Sequence, residues 1–418
     1  TQSTWGLSEK TDNTQFYSPM SYPLHHSISH FPPELLSEIA AKLTNYTDYV
    51  NARCVCKSWK SSIPKRPNKR IRNLPLLLLP YHVNPDEHRG IFNLLAEKSH
   101  LLNLPEARET HCCGSSNGWL IMIHESPQLF LLNPLNKRRI DLPPITTLPS
   151  FPFQLIYQNS MSLCESFINR QKLHLRNTFV VKAILSDDPS ASDDVLVAII
   201  FGNDRDLAVC RLRDDVWTQI NGVSNCKDLL FYQDKLYGVD DMGKLYYSDY
   251  GLSNPTTFMA HAPVRSRVAQ LYLTNLGGEI AVVARLRRVV PGNEYRTEHF
   301  EAYKLENGKK WSKMKTLGDA ALFIGLSRSH CINSRDYDGV NGNSVYFTDD
   351  YTRIDEGFVW EGHDYGVYSF QHGCVESFHL QTRLFGMEEP AINMFSNDHS
   401  MHWNTFVLPP PIWVTISA

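Results

Sequence analysis

The sequence predicts an α+β, multidomain protein in which a small N-terminal helical domain precedes a mostly-β domain. The β domain is best accounted for by a β-propeller of six or seven blades. Three observations lead to this fold class. The chain has 418 residues, more than one compact core usually holds. A helical period of apolar residues is confined to residues 31–63. From residue 110 onward, short apolar runs alternate with Gly, Asn, Asp and Pro, as β-strands and turns do.

The composition excludes several classes of function. A net charge of −3 gives no electrostatic reason to expect nucleic acid or an anionic membrane as a partner. No apolar run approaches the roughly 20 residues that span a bilayer, and the first residues show no secretory signal. The nine cysteines have no regular spacing and no matching His set, which argues against a zinc module. We expect free, mostly buried thiols in a reducing compartment.

The N-terminal residues divide into a leader and a helical pair. Residues 1–29 are polar without a hydrophobic period, which predicts a disordered leader. Pro32-Pro33 can begin a helix, because the N–H groups of a first helical turn lack partners. One face of this helix is apolar, as is one face of the next helical stretch. The apolar positions are Leu35, Leu36, Ile39, Ala40 and Leu43 in the first, and Val50, Cys54, Val55 and Trp59 in the second.

Residues 65–109 are expected to form a linker that contains a short helix. The stretch "PKRPNKRIRNLP" (64–75) is basic and interrupted by proline, which favours a solvated linker. A nuclear-localisation signal or a phosphate-binding patch is the alternative for the same residues. The short helix is expected within residues 88–107.

The region from 110 to 418 repeats loosely. The stretch "LAVCRLRDDVWTQI" (207–220) aligns with "FEAYKLENGKKWSKM" (300–314), and each consists of a strand, a polar turn, a Trp and a second strand. Trp217 and Trp311 are 94 positions apart, which is twice a period of about 47 residues and lies in the range of propeller blades. A tandem of β-sandwiches is the competing architecture.

The stretch Gly114-Ser115-Ser116-Asn117-Gly118 fits the pattern G-x-S-x-G of hydrolase nucleophiles. That chemistry needs a strand, a sharp turn carrying the serine and then a helix. Here "WLIMI" (119–123) follows, which is rich in strand-forming residues. The pattern therefore predicts a hairpin turn at Ser116, and a hydrolase is the lesser alternative.

Three other signals have structural interpretations. Asp349 and Asp350 in "FTDD" are expected to be turn carboxylates, since no calcium-loop spacing surrounds them. The run "RLRRVV" (285–290) predicts either a basic recognition patch or a charged strand edge. The prolines at 409–411 are expected to direct a final strand through Trp413, as a closing element.

The N-terminal helices resemble an F-box, on the pattern "FPPELLSEI" followed by "ARCVCKSW". Phe31 stands where Leu is usual in that family. The resemblance implies a helical hairpin at 30–64 that docks on a Skp1-type adaptor, which bridges to cullin and RING subunits of a ubiquitin ligase. The adaptor-binding residues implied by the match are Phe31, Pro32, Leu35, Leu36, Ile39, Leu43, Val55, Cys56 and Trp59.

The C-terminal region resembles the kelch-like domain of a large group of plant F-box proteins. The matching motifs include "GSSNGWLIM" (114–122), "KLYGVDDMGKLYYSD" (235–249) and "LPPPIWVTIS" (408–417). Residues 110–418 are accordingly expected to form the propeller.

The resemblance implies a non-catalytic substrate receptor of an SCF-type ubiquitin ligase, with the propeller capturing an unidentified target protein. We expect no cofactor, no metal, and residence in the nucleus and/or cytoplasm. Two alternatives stay open: a propeller scaffold that does not assemble a ligase, and a receptor whose target binding is gated by a small molecule in the propeller.

Overall fold

A computed structural model describes residues 31–43, 49, 52–64, 74–79, 88–94, 97–149, 151, 165–249, 256–264, 268–290, 294–350, 364–377 and 411–415. The chain divides into two compact units, residues 1–72 and 73–418. The predicted leader at 1–29 lies outside the described residues. No helix in the described part is long and apolar enough to cross a bilayer.

The first unit contains helices α1 (Pro33–Lys42) and α2 (Lys57–Ser62). As predicted, α1 begins at the proline pair, with Pro33 in its first turn. Leu36 and Ala40 lie one turn apart on α1 and pack with Tyr49 and Ile63 into a small core. Hydrogen bonds across the hairpin support that core, from Ser37 Oγ to Ser62 O at 3.1 Å and from Tyr49 Oη to Pro64 O at 2.8 Å.

The second unit consists of six antiparallel or mixed β-sheets. Blade 1 contains β1 (Leu76–Leu78), β2 (His88–Asn93), β3 (Lys98–Asn103) and the C-terminal β25 (Ile412–Val414). Blade 2 contains β4 (Thr110–Ser116), β5 (Trp119–His124), β6 (Leu129–Leu132) and β7 (Arg139–Asp141). Blade 3 contains β8 (Val180–Leu185), β9 (Leu196–Phe201), β10 (Asp206–Arg211) and β11 (Thr218–Ile220).

The other three blades follow in chain order. Blade 4 contains β12 (Cys226–Tyr232), β13 (Lys235–Asp240), β14 (Lys244–Asp249) and β15 (Thr257–His261). Blade 5 contains β16 (Val268–Leu276), β17 (Glu279–Val290), β18 (Glu294–Glu306) and β19 (Lys310–Met314). Blade 6 contains five strands, β20 (Ala320–Ile324), β21 (His330–Asn333), β22 (Ser344–Phe347), β23 (Gly366–Ser369) and β24 (Cys374–Ser377). A helix, α3 (Glu165–Thr178), precedes blade 3.

Six hydrophobic clusters join the blades into a closed ring. Each cluster lies between one blade and the next, and the last joins blade 6 to blade 1. A blade cannot bury both of its faces alone, so this arrangement gives every face an apolar partner. The structure is therefore a six-bladed propeller, at the lower of the two predicted blade counts, and the sandwich alternative is wrong.

The C-terminal strand closes the ring, as the prolines before Trp413 predicted. β25 pairs antiparallel with β1, with Trp413 opposite Leu77. The Trp413 side chain is buried, donates from Nε1 to Ile324 O at 3.1 Å and packs edge-on against Phe323 of blade 6. One strand thus joins the two ends of the propeller.

The prediction of a linker with a short helix at 65–109 is wrong for residues 76–78, 88–93 and 98–103. These residues form β1, β2 and β3, and among the described residues of this range Pro105–Ala107 form a short 3-10 turn. The reason is long-range pairing: β1 needs β25 as a partner, and β2 then extends the same sheet. Local apolar spacing around 76–78 does not reveal a strand partner more than 300 residues away.

The predicted repeat corresponds to equivalent hairpins. Residues 207–220 cover β10 and β11, and residues 300–314 cover the end of β18 and β19. Both are the third and fourth strands of their blades, two blades apart. The tryptophan spacing therefore reported the blade period correctly.

Candidate functional site

The helical hairpin presents part of its predicted adaptor-binding set to solvent. Phe31, Leu35 and Val55 are exposed by 38%, 41% and 51%. Pro32 is also exposed, whereas Ile39, Leu43, Cys56 and Trp59 are half-buried. Phe31 packs edge-on against Trp59, with ring centroids 6.2 Å apart. Large apolar side chains exposed together on a small unit indicate a surface that another protein covers.

Leu36 is the exception in this set, because it is fully buried. Neighbouring helical positions differ by about 100° in direction, which lets Leu36 face the hairpin core while Leu35 faces solvent. Leu36 packs on Ala40, Tyr49 and Ile63, in the core of the hairpin. The prediction that Leu36 enters an adaptor groove is therefore wrong, and its role is structural.

Ser116 ends β4, and the hairpin turn predicted for it is confirmed. Asn117 and Gly118 follow with φ values of 52° and 82°, the pair of positive angles that a type I′ turn requires. β5 begins at Trp119, so no helix follows the serine. The Ser116 hydroxyl lies 3.3 Å from Leu185 O and accepts from Arg328 at 3.3 Å. The hydrolase interpretation lacks the required structural context.

A polar cluster occupies the propeller axis, where the first strands of the blades meet. Lys182 of β8 and Asp228 of β12 form a buried ion pair at 2.5 Å. The loop after β20 reaches this pair, since Ser329 Oγ donates to Asp228 Oδ2 at 3.3 Å. The same loop reaches blade 2 through Arg328 and Ser116. One loop of blade 6 thus crosses the axis and joins blades 2 and 4.

Asp228 is the most heavily bonded carboxylate of the axis. It accepts from the backbone N–H groups of Leu229 and Leu273, each at 2.7 Å, in addition to its two side-chain partners. Burial raises the pKa of Asp228, and Lys182 opposes that rise. Such a group fixes four blades, 3 to 6, relative to one another, and no reacting geometry surrounds it in the described residues.

Two histidines are held neutral, the buried His111 and the half-buried His330. Burial lowers the pKa of His111 to about 3, and the charges of Arg176 and Arg89 act in the same direction. Burial lowers the pKa of His330 to about 3 as well, with Arg328 and Lys182 adding to the effect. Both imidazoles therefore resist protonation in the folded state.

Acidification is expected to destabilise the propeller through these histidines. Below about pH 6.5 the unfolded chain binds protons that the folded chain does not, so unfolding becomes more favourable as the pH falls toward 3. Each histidine adds about 1.4 kcal/mol per pH unit to this slope. Urea unfolding at several pH values should show a shallower slope for a His111→Gln, His330→Gln double variant. The His372→Gln variant, which removes an exposed imidazole, is the control for the substitution itself.

The residues "FTDD" and "RLRRVV" meet in a second buried network. Arg285 is fully buried and donates to Thr348 O at 2.8 Å, Asp350 Oδ1 at 3.0 Å and Asp364 Oδ2 at 3.0 Å. Arg287 pairs with Asp349 and Asp350. Burial alone would raise the pKa of Asp350, and the guanidinium groups of Arg287 and Arg285 lower it below its usual value.

Burial is the feature of these stretches that was not predicted. Arg285 is fully buried and so is neither part of a recognition patch nor solvated, whereas Arg288 and Val289 of the same run are exposed. Asp349 and Asp350 lie between β22 and β23, as predicted for turn carboxylates, and they are buried ion-pair partners. Burying a charge is costly unless an opposite charge and hydrogen bonds accompany it, which is why the two stretches are found together.

Sequence reasoning did not predict that the charged residues Lys182, Asp228 and Arg285 are buried in ion pairs. A usable signal was present, since each is a charged residue within an apolar strand: "FVVKAIL", "CKDLLF" and "AVVARL". A strand buried on both faces tolerates such a residue only with a partner. The pattern identifies the residues but not their partners, which come from other blades.

No group of His, Cys, Asp or Glu in the described ranges is arranged to hold a metal ion. The eight cysteines with described positions are free thiols, and four of them are buried. Burial raises the pKa of Cys112 to about 11, which keeps that thiol protonated and unreactive at neutral pH.

Comparisons with known families agree with this architecture. Residues 28–71 match the family described as F-box domain, and residues 91–369 match the family described as KIB1-4 beta-propeller. The second match covers more than half of the chain. It also replaces the kelch-like label for the propeller with a more specific one.

The relatives are plant F-box proteins. The chain is 24% identical to the F-box protein SKIP23 of Arabidopsis thaliana, over 93% of this chain and 96% of that protein. It is 27% identical to the Arabidopsis F-box protein At5g55150, over 77% of this chain and 85% of that protein. Among solved structures, YCF48 from Cyanidioschyzon merolae gives a TM-score of 0.31 at 11% identity, over 59% of this chain and 76% of that chain, which is too distant to support an argument. An F-box hairpin followed by a six-bladed propeller of this type places the chain in the plant F-box protein family with a KIB1-4 beta-propeller.

Proposed function

We propose that this protein is the substrate receptor of an SCF-type ubiquitin ligase. The observation that carries the proposal is the exposure of three large apolar side chains, Phe31, Leu35 and Val55, on an F-box hairpin. The hairpin would bind a Skp1-type adaptor, which bridges to cullin and RING subunits. The propeller would hold the target protein.

The energetics of the hairpin favour such a partner. Leu35 and Val55 lie outside the hairpin core and stay exposed in the folded hairpin. Their burial against an adaptor would therefore contribute favourable free energy to binding. Fully burying one such side chain contributes roughly 1.5–3 kcal/mol. Leu36 contributes to the stability of the hairpin instead, and it keeps the exposed side chains in place.

The contribution of this protein to ubiquitin transfer would be positional. Bond formation belongs to the conjugating enzyme and the RING subunit, and the receptor raises the effective concentration of a target lysine near the thioester. We further propose residence in the nucleus and/or cytoplasm, based on the basic segment at 64–72, most of which lies outside the described residues.

The decisive experiment is co-purification of the full chain with a plant Skp1-type adaptor. A Leu35→Asp, Val55→Asp double variant should bind the adaptor at least about 100-fold more weakly, because two exposed apolar contacts are lost. A Leu101→Asp, Met242→Asp variant is the control, since both residues are exposed on the propeller and the added charge is the same. Leu36→Asp is unsuitable, because it would disrupt the hairpin core.

The outcomes separate the candidate functions. Capture by the parent and the control, together with loss in the double variant, supports the ligase receptor. If the folded parent fails to capture the adaptor, the chain is a propeller scaffold without ligase assembly. Equal capture by all three chains would mean that Leu35 and Val55 are not the interface.

A receptor gated by a small molecule in the axial channel is the weaker candidate. The loop that carries Arg328 and Ser329 already crosses the axis and bonds to blades 2 and 4. A ligand would have to share the axis with that loop.

A further inference from the structure

Two basic side chains meet at the end of the propeller where β8, β12 and β16, the first strands of blades 3 to 5, begin. Arg205 is the last residue of the turn between β9 and β10, and Lys227 is the second residue of β12. The backbone N–H of Cys226 donates to Arg205 O at 3.1 Å, which holds this turn of blade 3 beside the start of blade 4. Gln270 Nε2 of blade 5 donates to Lys227 O at 3.0 Å. Three blades therefore fix the positions of the two residues.

Neither basic group has a bonding partner among the described residues. Arg205 and Lys227 are half-buried, yet the guanidinium and the ammonium group make no hydrogen bond and no ion pair there. Other basic side chains that the propeller buries do have carboxylate partners. These are Arg176, Lys182, Arg285 and Arg287. The pair at the start of blade 4 thus departs from the way this propeller neutralises its buried charges.

The surroundings of the pair are unfavourable for two cations. Burial lowers the pKa of Lys227, and the neighbouring charge of Arg205 acts in the same direction. Burial also lowers the pKa of Arg205. The carboxylates of Asp241 and Asp350 oppose both shifts without pairing with either cation, and Asp350 is already bonded to two other arginines. An anion that contacted both cations would relieve the unfavourable burial of charge.

The pair is accessible from solvent. Exposed residues flank it on three loops, Asn203 and Asp204 before Arg205, Ser224 and Asn225 before Lys227, and Asp241 and Met242 between β13 and β14. The last of these loops belongs to the same end of the propeller, because Asp240 lies opposite Cys226 in the sheet of blade 4. Arg205 and Lys227 are themselves partly exposed. A ligand can therefore approach the two cations from this end of the propeller.

The charge and the donors of the pair suit a phosphate group. A phosphate monoester carries a charge of about −1.5 to −2 at neutral pH and offers three acceptor oxygens. Two adjacent cations balance that charge, whereas a carboxylate balances only one of them. The guanidinium of Arg205 presents several N–H donors in one plane, and the ammonium of Lys227 adds a compact charge with three donors. Both kinds of group form short, charge-assisted hydrogen bonds to phosphate oxygens.

We infer that Arg205 and Lys227 form a binding site for a phosphate dianion at the start of blade 4. A phosphorylated residue of the target protein and a free phosphate compound share this chemistry. The first source rests on the proposed function, because it requires a target protein. The site itself does not depend on ligase assembly.

Isothermal titration calorimetry on the full chain tests the site. Inorganic phosphate and N-acetyl-O-phosphoserine amide should both bind, and an Arg205→Gln, Lys227→Gln variant should bind each at least about tenfold more weakly, because charged hydrogen bonds are lost. The corresponding aspartate amide carries a single charge and should bind to the parent at least about tenfold more weakly than the phosphoserine amide. Tighter binding of the phosphoserine amide than of inorganic phosphate identifies a phosphorylated residue as the ligand, and the reverse order identifies a free compound.

Two further variants control for charge. The Arg213→Gln, Lys309→Gln variant removes the same charge from exposed residues in loops at the opposite ends of β10 and β18, and it should bind phosphate as the parent does. Asp241→Asn removes a carboxylate beside the site and should raise the affinity for phosphate about two- to fivefold, because a repulsive charge is lost. The result for Asp241→Asn does not depend on the stability of the double variant.

Thermal melting separates a ligand site from a structural role. Because neither cation is bonded, the Arg205→Gln, Lys227→Gln variant should melt within about 2 °C of the parent when phosphate is absent. Added phosphate should raise the melting temperature of the parent and leave that of the variant unchanged. The inference would be overturned by equal phosphate binding in the parent and the double variant. A parent that binds no phosphate, with a variant that melts well below it, would instead identify the cations as counter-charges of Asp350.

The experiment also distinguishes this inference from the proposed function. The Leu35→Asp, Val55→Asp variant should bind inorganic phosphate as tightly as the parent. Phosphate binding without adaptor capture would refute the ligase receptor and leave the phosphate site intact. Adaptor capture without phosphate binding would do the reverse.

Discussion

Replacing Arg285 by alanine is expected to lower the free energy of unfolding by about 3–5 kcal/mol, the usual cost of removing one partner from a buried ion pair. Arg285 is fully buried and binds the carboxylates of Asp350 and Asp364. Its removal leaves both carboxylates buried with fewer donors, and it opens a cavity between blades 5 and 6. Urea unfolding followed by circular dichroism would measure the loss.

The control for this prediction is another ion-paired arginine. Arg335 pairs with Asp319 at 2.9 Å, but its side chain is 76% exposed. Arg335→Ala should change stability by less than about 0.5 kcal/mol, since exposed pairs contribute little. An Arg285→Ala variant that lost less than about 1 kcal/mol would show that the network does not hold blade 6 against blade 5.

An alanine at position 114 is expected to destabilise the propeller by about 3 kcal/mol or more, at or above the upper end of the usual cost of overpacking. Gly114 lies on β4, and a Cβ there would overlap the carbonyl group of Ala183 on β8. Both groups are backbone in the first strands of adjacent blades, so neither can rotate away. The prediction also bears on the G-x-S-x-G pattern, because it assigns a packing role to Gly114, the first glycine of that pattern.

Gly238 provides a matched comparison. It lies in the middle of β13, and a Cβ there would meet Leu207, Cys226 and Leu229 at 3.4–3.7 Å, ordinary contact distances. Gly238→Ala should therefore stay within about 1 kcal/mol of the parent, since the methyl group gains contacts and alanine orders more easily than glycine. Equal effects at the two positions would contradict the close approach of blades 2 and 3.

Much of the architecture could be inferred from local patterns. Alternating apolar residues and turn residues indicated the β domain, and the spacing of Trp217 and Trp311 indicated the blade period. The strand-forming run at 119–123, directly after the turn residues Gly114–Gly118, indicated the hairpin at Ser116. These inferences succeeded because turns and strand alternation depend on neighbouring residues only.

The failures all involve partners distant in the chain. Residues 76–78 had no local feature that predicted a strand, because one of their partners, β25, lies more than 300 residues later in the chain. Arg285 and Asp350 looked like separate surface charges until the fold placed them 3.0 Å apart. Leu35 and Leu36 looked equivalent until α1 packed on Ile63 and buried one of them.

By itself, the sequence determined the fold class, the division into a hairpin and a β domain, and the family, since all three depend on periodicity and on short motifs. The tertiary structure decided which apolar residues are left for a partner and which charges are buried in pairs. The physical reason is that burial and hydrogen-bond satisfaction depend on what other segments bring to a residue. The surroundings of each residue are therefore set only when the six blades close into a ring.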